Sequence, residues 1–99
     1  MRARSKPFEN YLKRRFNITY EDYLDMHAEQ NSCCAICRIP EQHNGRNLAI
    51  DHCHTRGHVR GLLCKHCNVG LGNFNDSPRI LSAAIDYVCE NKYNKKRRL

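Results

Sequence analysis

Apolar positions along the chain follow the helical period at both ends, and polar turns bound two short strands between them. Phe8, Leu12 and Phe16 recur at helical spacing and predict a short basic helix over residues 8–16. Thr19-Tyr20-Glu21-Asp22 matches the capping-box pattern, and Tyr23, Leu24, His27 and Ala28 continue one face, so a second helix is expected over residues 20–30. Residues 40–45 are polar and turn-rich and predict a loop. A short strand follows over 47–51, a turn at Thr55-Arg56-Gly57, and a returning strand over 58–63, which together make a hairpin. A short helix is expected over 68–74, with Gly70 and Gly72 limiting its length. Asp76-Ser77-Pro78 is a helix start with proline at the first helical position. Ile80, Leu81, Ala84, Ile85, Val88 and Cys89 then form an apolar stripe, on which Cys89 reads as a small core residue.

At 99 residues the chain has room for one α+β domain, and a core of that size usually needs a staple. Seven cysteines are an odd number, four of them stand as C-x-x-C pairs, and nothing resembles a secretory signal. Reduced, metal-bound thiolates in a cytoplasmic setting are therefore expected rather than disulfides. No run approaches the roughly 18 consecutive apolar residues a membrane helix requires, so no membrane partner is expected. The net charge of +7 and a pI near 9.2 point to a polyanion, with nucleic acid favoured over an anionic membrane. Arg2, Arg4, Lys6, Lys13, Arg14 and Arg15 crowd one end; Lys92, Lys95, Lys96, Arg97 and Arg98 crowd the other. The expected organisation is a basic segment over 1–17, a central domain over 18–91 and a basic tail over 92–99. Each basic end reads equally as a solvated tail or as an arm that neutralises phosphates.

Cys34-Ala-Ile-Cys37 and Cys64-Lys-His-Cys67 each have the spacing that lets two thiolates wrap one face of a tetrahedral ion. Two such knuckles close the shell, which describes structural zinc; an iron site finds no electron-transfer logic elsewhere in the chain. Cys33 makes a poorer knuckle with Cys37 and reads as a spectator.

Between the knuckles, Asp51-His52-Cys53-His54 has three readings. It is an inert polar turn, or it adds ligands to a zinc shell that four cysteines already fill, or it is catalytic. In the third reading Asp51 offers a hard oxygen suited to Mg²⁺ or Mn²⁺, and His52 a base that works near neutrality. Its position, at the end of a strand that feeds a hairpin opposite a metal-pinned helix, favours the third. Asn68 follows Cys67 directly and either completes that cation site or caps a helix. His58 and His66 read as surface residues, and His27 and His43 make no case for a site.

With these residues in view, the chain resembles the HNH, or His-Me finger, nucleases, and among them the bacteriophage recombination endonuclease VII family. The resemblance runs from about Ile18 to Val88. It is densest in Cys34-Ala-Ile-Cys37, in Leu48-Ala-Ile-Asp-His-Cys-His54, in Gly57-His-Val-Arg-Gly-Leu-Leu-Cys64 and in Cys67-Asn-Val-Gly-Leu-Gly72. It implies a small zinc-stapled ββα-metal domain with flanking helices, in which Asp51 and Asn68 hold the catalytic divalent ion. His52 matches the family's general base and His54 its second histidine. Arg60, with Arg56 as second choice, is the residue expected on the scissile or a neighbouring phosphate; Arg60 reads equally as a solvated strand residue. The family's junction-resolving prototype carries a glutamate where this chain has Leu71, and it continues into a long dimerisation region beyond the point where this chain stops at Leu99. The expected activity is a metal-dependent DNA endonuclease that nicks or cuts with little sequence preference. A structure-selective junction resolvase and a non-catalytic zinc nucleic-acid-binding module stand as alternatives, and monomer and homodimer are both open.

Overall fold

The computed structural model describes residues 1–90, 92 and 93, and the basic tail expected over 92–99 lies largely outside the described residues. Its elements run α1 (Lys6–Phe16), α2 (Tyr20–Glu29), a single 3₁₀ turn (Glu41–His43), β1 (Ala49–His52), β2 (Val59–Leu63), α3 (Lys65–Asn73) and α4 (Pro78–Cys89). It is a mixed fold of four helices and one two-stranded sheet.

Each helix starts where a side chain satisfies an N–H group that the helix itself cannot. Ser5 accepts from the N–H of Phe8, with Pro7 in the first turn, and left-handed Asn17 ends α1. This cap lies upstream of the apolar stripe, so the helix starts earlier than its apolar spacing predicts. Thr19 and Asp22 form a reciprocal capping box on α2, at 3.1 and 2.9 Å. Ser77 caps α4, with Pro78 as its first residue. The helix expected over 68–74 starts instead at Lys65, because the Cys64 sulfur accepts from the Cys67 N–H and serves as its cap. Asn68 therefore lies inside α3, and its alternative reading as a helix cap does not hold.

The core joins Phe8 and Leu12 of α1, Tyr20 and Tyr23 of α2, Leu48, Leu62 and Leu63 of the hairpin, and Cys34 and Cys64. Phe8 meets Tyr20 and Tyr23 edge-on, with centroids 6.0 and 5.2 Å apart. The basic segment over 1–17 is thus anchored over α1 rather than a solvated tail, since its apolar stripe is needed to close the core. At the other end of the chain the expected burial fails. No residue of α4 is buried; Ile85 is 62% exposed, Val88 79%, and Cys89 is exposed rather than a core residue. The stripe does form a helix, but only Ile80, Leu81 and Ala84 are partly covered, because the helix runs off the edge of the core.

β1 and β2 pair antiparallel, Ala49 with Leu63, Ile50 with Leu62 and Asp51 with Gly61. The next pair is His52 with Val59, so Arg60 is the extra residue of a bulge. The outer edge of β2 is covered by the Gln30 side chain and by the Ala35 N–H, which donates to the Leu62 carbonyl at 3.1 Å. Gln30 accepts from the Leu62 N–H at 2.9 Å and donates to the carbonyls of Leu62 (2.9 Å) and Cys33 (2.8 Å). Gly61 makes room for it, since a Cβ there would sit 3.0 Å from the Gln30 amide oxygen. The approach to β1 is held in the same manner. Buried Glu41 accepts from the Leu48 N–H and pairs with His27, while buried Asn44 accepts from the Lys65 N–H at the start of α3.

Replacing Gln30 by alanine orphans the N–H of fully buried Leu62 and is expected to destabilise the fold by about 1–3 kcal/mol. The urea midpoint measures this; a loss below roughly 0.5 kcal/mol, the range of ordinary surface substitutions, would show that Gln30 does not hold this edge.

Candidate functional site

The turn after α2 carries Cys34 and Cys37, the residue that follows β2 is Cys64, and the first turn of α3 carries Cys67. Their four sulfurs all lie within 4.8 Å of one another, and Cys37 and Cys64 are 3.7 Å apart. A tetrahedral zinc–thiolate site, with Zn–S near 2.3 Å, has sulfurs about 3.8 Å apart, so the cluster can hold zinc with little adjustment. Burial works against ionising Cys34, but N–H groups of Cys64, Cys37 and Ile36 bring its thiol down to about 6. Burial, then hydrogen bonds with the other three thiols, pushes Cys67 up to about 12. One sulfur is prepared to be an anion, and the last to ionise needs a cation among them. Cys33 stands apart, its thiol donating to the Asn31 carbonyl, and Cys53 accepts from the Arg56 N–H in the hairpin turn. Neither Cys53 nor the neighbouring histidines belong to the four-sulfur cluster.

A second group of side chains gathers at the open end of the hairpin. Asp51, 8% exposed, is gripped by Arg60 through both oxygens, Nε to Oδ2 at 2.6 Å and Nη2 to Oδ1 at 3.1 Å. The bulge allows this grip, because the extra residue turns the Arg60 side chain back over the neighbouring strand. The hydrogen bond to Asp51 first, and its charge second, hold the guanidinium more firmly protonated than usual despite partial burial. Arg60 Nη2 also reaches Asp76 Oδ2 at 3.3 Å, and His54 Nε2 lies 3.4 Å from the same oxygen. The His54 ring lies 4.8 Å from that of His52, and the Phe16 ring lies 5.7 Å from it. The half-buried His52 ring is thereby in contact with both the end of α1 and His54.

Of the residues singled out in the sequence, Asp51, His52, His54 and Arg60 thus come together. Asn68 is not joined to them by any side-chain hydrogen bond among the described residues. It is exposed on α3 and lines a cavity of about 160 Å³ with Asn44, Asn47, Ala49 and Lys65. Ala49 and Asp51 stand two apart on β1, hence on one face, and Ala49 but not Asp51 lines the cavity that Asn68 shares. Arg56 is exposed in the hairpin turn with no ion pair among the described residues. His43, His58 and His66 are exposed, and His27 is buried against Glu41 and Ser32.

Two members of the group escaped sequence reasoning. Phe16 ends the apolar stripe of α1 and reads as core, and Asp76 precedes a serine–proline helix start and reads as part of a cap. The cap is Ser77, whose Oγ accepts from the Ile80 N–H, which leaves the Asp76 carboxylate to the cluster.

A family model described as recombination endonuclease VII matches residues 9–90. The gene 59 protein of Mycobacterium phage D29 is 38% identical over 87 residues, covering 85% of this chain and 51% of the phage protein. That of Mycobacterium phage L5 is 34% identical over 87 residues, with the same shares covered. The chain spans about half the length of these relatives. The match encloses both knuckles, the hairpin and most of each flanking helix, and the chain belongs to the recombination endonuclease VII family.

Proposed function

We propose that the chain is a metal-dependent DNA endonuclease of the HNH, or His-Me finger, type that hydrolyses phosphodiester bonds with low sequence preference. The observation that carries the reading is the convergence of Asp51, Arg60, His54 and His52 at the open end of a hairpin whose following helix starts inside the cysteine cluster. Family membership supports the nuclease class. No helix among the described residues is long and apolar enough to cross a membrane, which suits a protein that meets DNA in the cytoplasm of a phage host.

Asp51 fits a hard cation, because its nearly buried carboxylate already has both oxygens on one positive group. Asp51 and Asn68 would hold Mg²⁺ or Mn²⁺, which when bound stabilises negative charge on the phosphate and the departing oxygen. His52 takes the proton from the attacking water. Phe16 and His54 hold its ring against rotation, so the base is placed before substrate arrives. Arg60 contacts the phosphate with the N–H groups it does not commit to Asp51 and Asp76. Zinc on Cys34, Cys37, Cys64 and Cys67 is structural, since four thiolates leave it no open position. DNA reaches the site past Lys13, Arg14 and Arg15, exposed in the last turn of α1 beside Phe16.

With Mg²⁺ or Mn²⁺ the protein is expected to relax supercoiled plasmid, and His52→Ala to slow nicking by about 10²–10⁴-fold. Plasmid left intact under both ions, or cut equally by the variant, would favour a non-catalytic zinc module that binds nucleic acid. Metal analysis is expected to find one zinc per chain in the wild type. Cys64→Ala should lose zinc and helical circular dichroism together, since Cys64 is both a cluster member and the cap of α3; retention of helicity without metal would refute a structural role. Neutralising Lys13, Arg14 or Arg15 should lower the slope of log affinity for duplex DNA against log salt by roughly one per cation removed; an unchanged slope would place DNA elsewhere.

A further inference from the structure

Asp76 is a second carboxylate at a site whose substrate, on the reading above, is a polyanion. An acidic side chain there opposes phosphate binding unless it does something in return. It is not needed as a helix cap, because Ser77 fills that place. Its backbone is nevertheless held firmly. Asn75 and Asp76 are both left-handed, at φ 56° and 54°, and their N–H groups donate back to the carbonyls of Gly72 (2.9 Å) and Leu71 (2.8 Å). Two consecutive non-glycine residues in that region persist only when their surroundings impose it. The reversal after α3 turns the Asp76 side chain, 16% exposed, toward the hairpin.

There its Oδ2 serves two groups at once, Arg60 Nη2 at 3.3 Å and His54 Nε2 at 3.4 Å. Arg60 gives Nε and Nη2 to Asp51 and shares Nη2 with Asp76, and its Nη1 is the atom left over for a phosphate oxygen. A cation arriving at Asp51 competes with the guanidinium for the same two oxygens. With Asp51 as its sole anchor, Arg60 would swing away when that happens; with Asp76 as a second, it stays. A carboxylate 3.4 Å from His54 Nε2 favours the proton on that nitrogen, and the His54 ring stands 4.8 Å from that of His52.

We propose that Asp76 is a positioning residue for phosphodiester hydrolysis, holding Arg60 beside the phosphate and His54 against His52 while Asp51 engages the divalent ion. It acts through those two side chains and touches neither water nor phosphate. The inference rests on the nuclease reading, so its test needs one measurement of activity and one that is independent of it.

Asp76→Asn keeps a residue that tolerates the left-handed backbone while removing the charge. Plasmid nicking by this variant is expected to fall about 10- to 100-fold in kcat, as for other groups that orient a catalytic shell, with little change in KM. Mn²⁺ titration by calorimetry, in the absence of DNA, is expected to give the same affinity as the wild type. Nitrogen-15 NMR of the imidazoles is expected to show His54 protonated at Nε2 in the wild type and as a mixture of tautomers in the variant. In an Arg60→Ala, His54→Ala background, Asp76→Asn should cost nothing further. Wild-type nicking rates in the variant, or slowed nicking with an unchanged His54 tautomer, would overturn the proposal. A loss of Mn²⁺ affinity that matches the loss of rate would overturn it too, by making Asp76 a metal ligand. If the wild type nicks no plasmid the nuclease reading fails by itself, and the NMR comparison still decides whether Asp76 fixes His54.

Discussion

Four sulfurs crowded within 4.8 Å of one another set the terms for the rest of the molecule. Their ionisation is shared, with one thiol drawn down to about 6 by backbone N–H groups and another driven to about 12 by burial and its neighbours. Such a cluster is best relieved by a divalent ion that takes all four thiolates. The consequence reaches beyond the cysteines, because Cys64 ends β2 and caps α3 in a single residue. Where the sheet stops and the helix starts is therefore decided by a residue of the cysteine cluster itself. A chain with nine buried apolar residues in its core has few other means of fixing that corner.

What the corner supports is a hairpin of only four and five residues, too short to be stable alone. Its free edge is closed by Gln30 from α2, its approach is tied by Glu41 and Asn44, and its open end is braced by Phe16 from α1 and Asp76 from the α3–α4 reversal. The bulge at Arg60 adds the last constraint. Had β2 paired without it, Arg60 would stand opposite His52 in regular register, and the two-oxygen grip on Asp51 would be lost. One extra residue in one strand thus decides which partner the buried carboxylate takes.

The parts of this arrangement legible in the sequence are those carried by local rules. Capping residues placed the starts of α2 and α4, turn residues placed the hairpin, and C-x-x-C spacing placed the cluster. The illegible parts depend on what lies across space. Asp76 looks like half of a helix cap until Ser77 is seen to fill the role, and the left-handed pair that aims it has no glycine to announce it. Phe16 reads as a core residue and turns out to face a histidine. The stripe on α4 correctly implies a helix, but a stripe names no partner, and Val88 and Cys89 stand in solvent. The α3 start was hidden because a cysteine is a poor cap by composition and a good one only when its sulfur is already placed by three others.

The electrostatics of the hairpin end follow from the same shortage of scaffold. Asp51 is nearly buried, and a buried carboxylate needs hydrogen-bond partners that the fold must supply. It takes Arg60, and Arg60 in turn takes Asp76, so the group is balanced by side chains that the fold already holds in reach. On the nuclease reading, a hard cation that entered here would exchange with a guanidinium rather than fill bare space, and Asp76 would receive the displaced charge. Exchange of this kind costs less than either creating or abandoning a buried ion pair, because no charge is left uncompensated at any stage. A group built so has its carboxylate oriented by the fold itself, and on the nuclease reading that is the preorganisation a small domain with little binding energy to spare most needs.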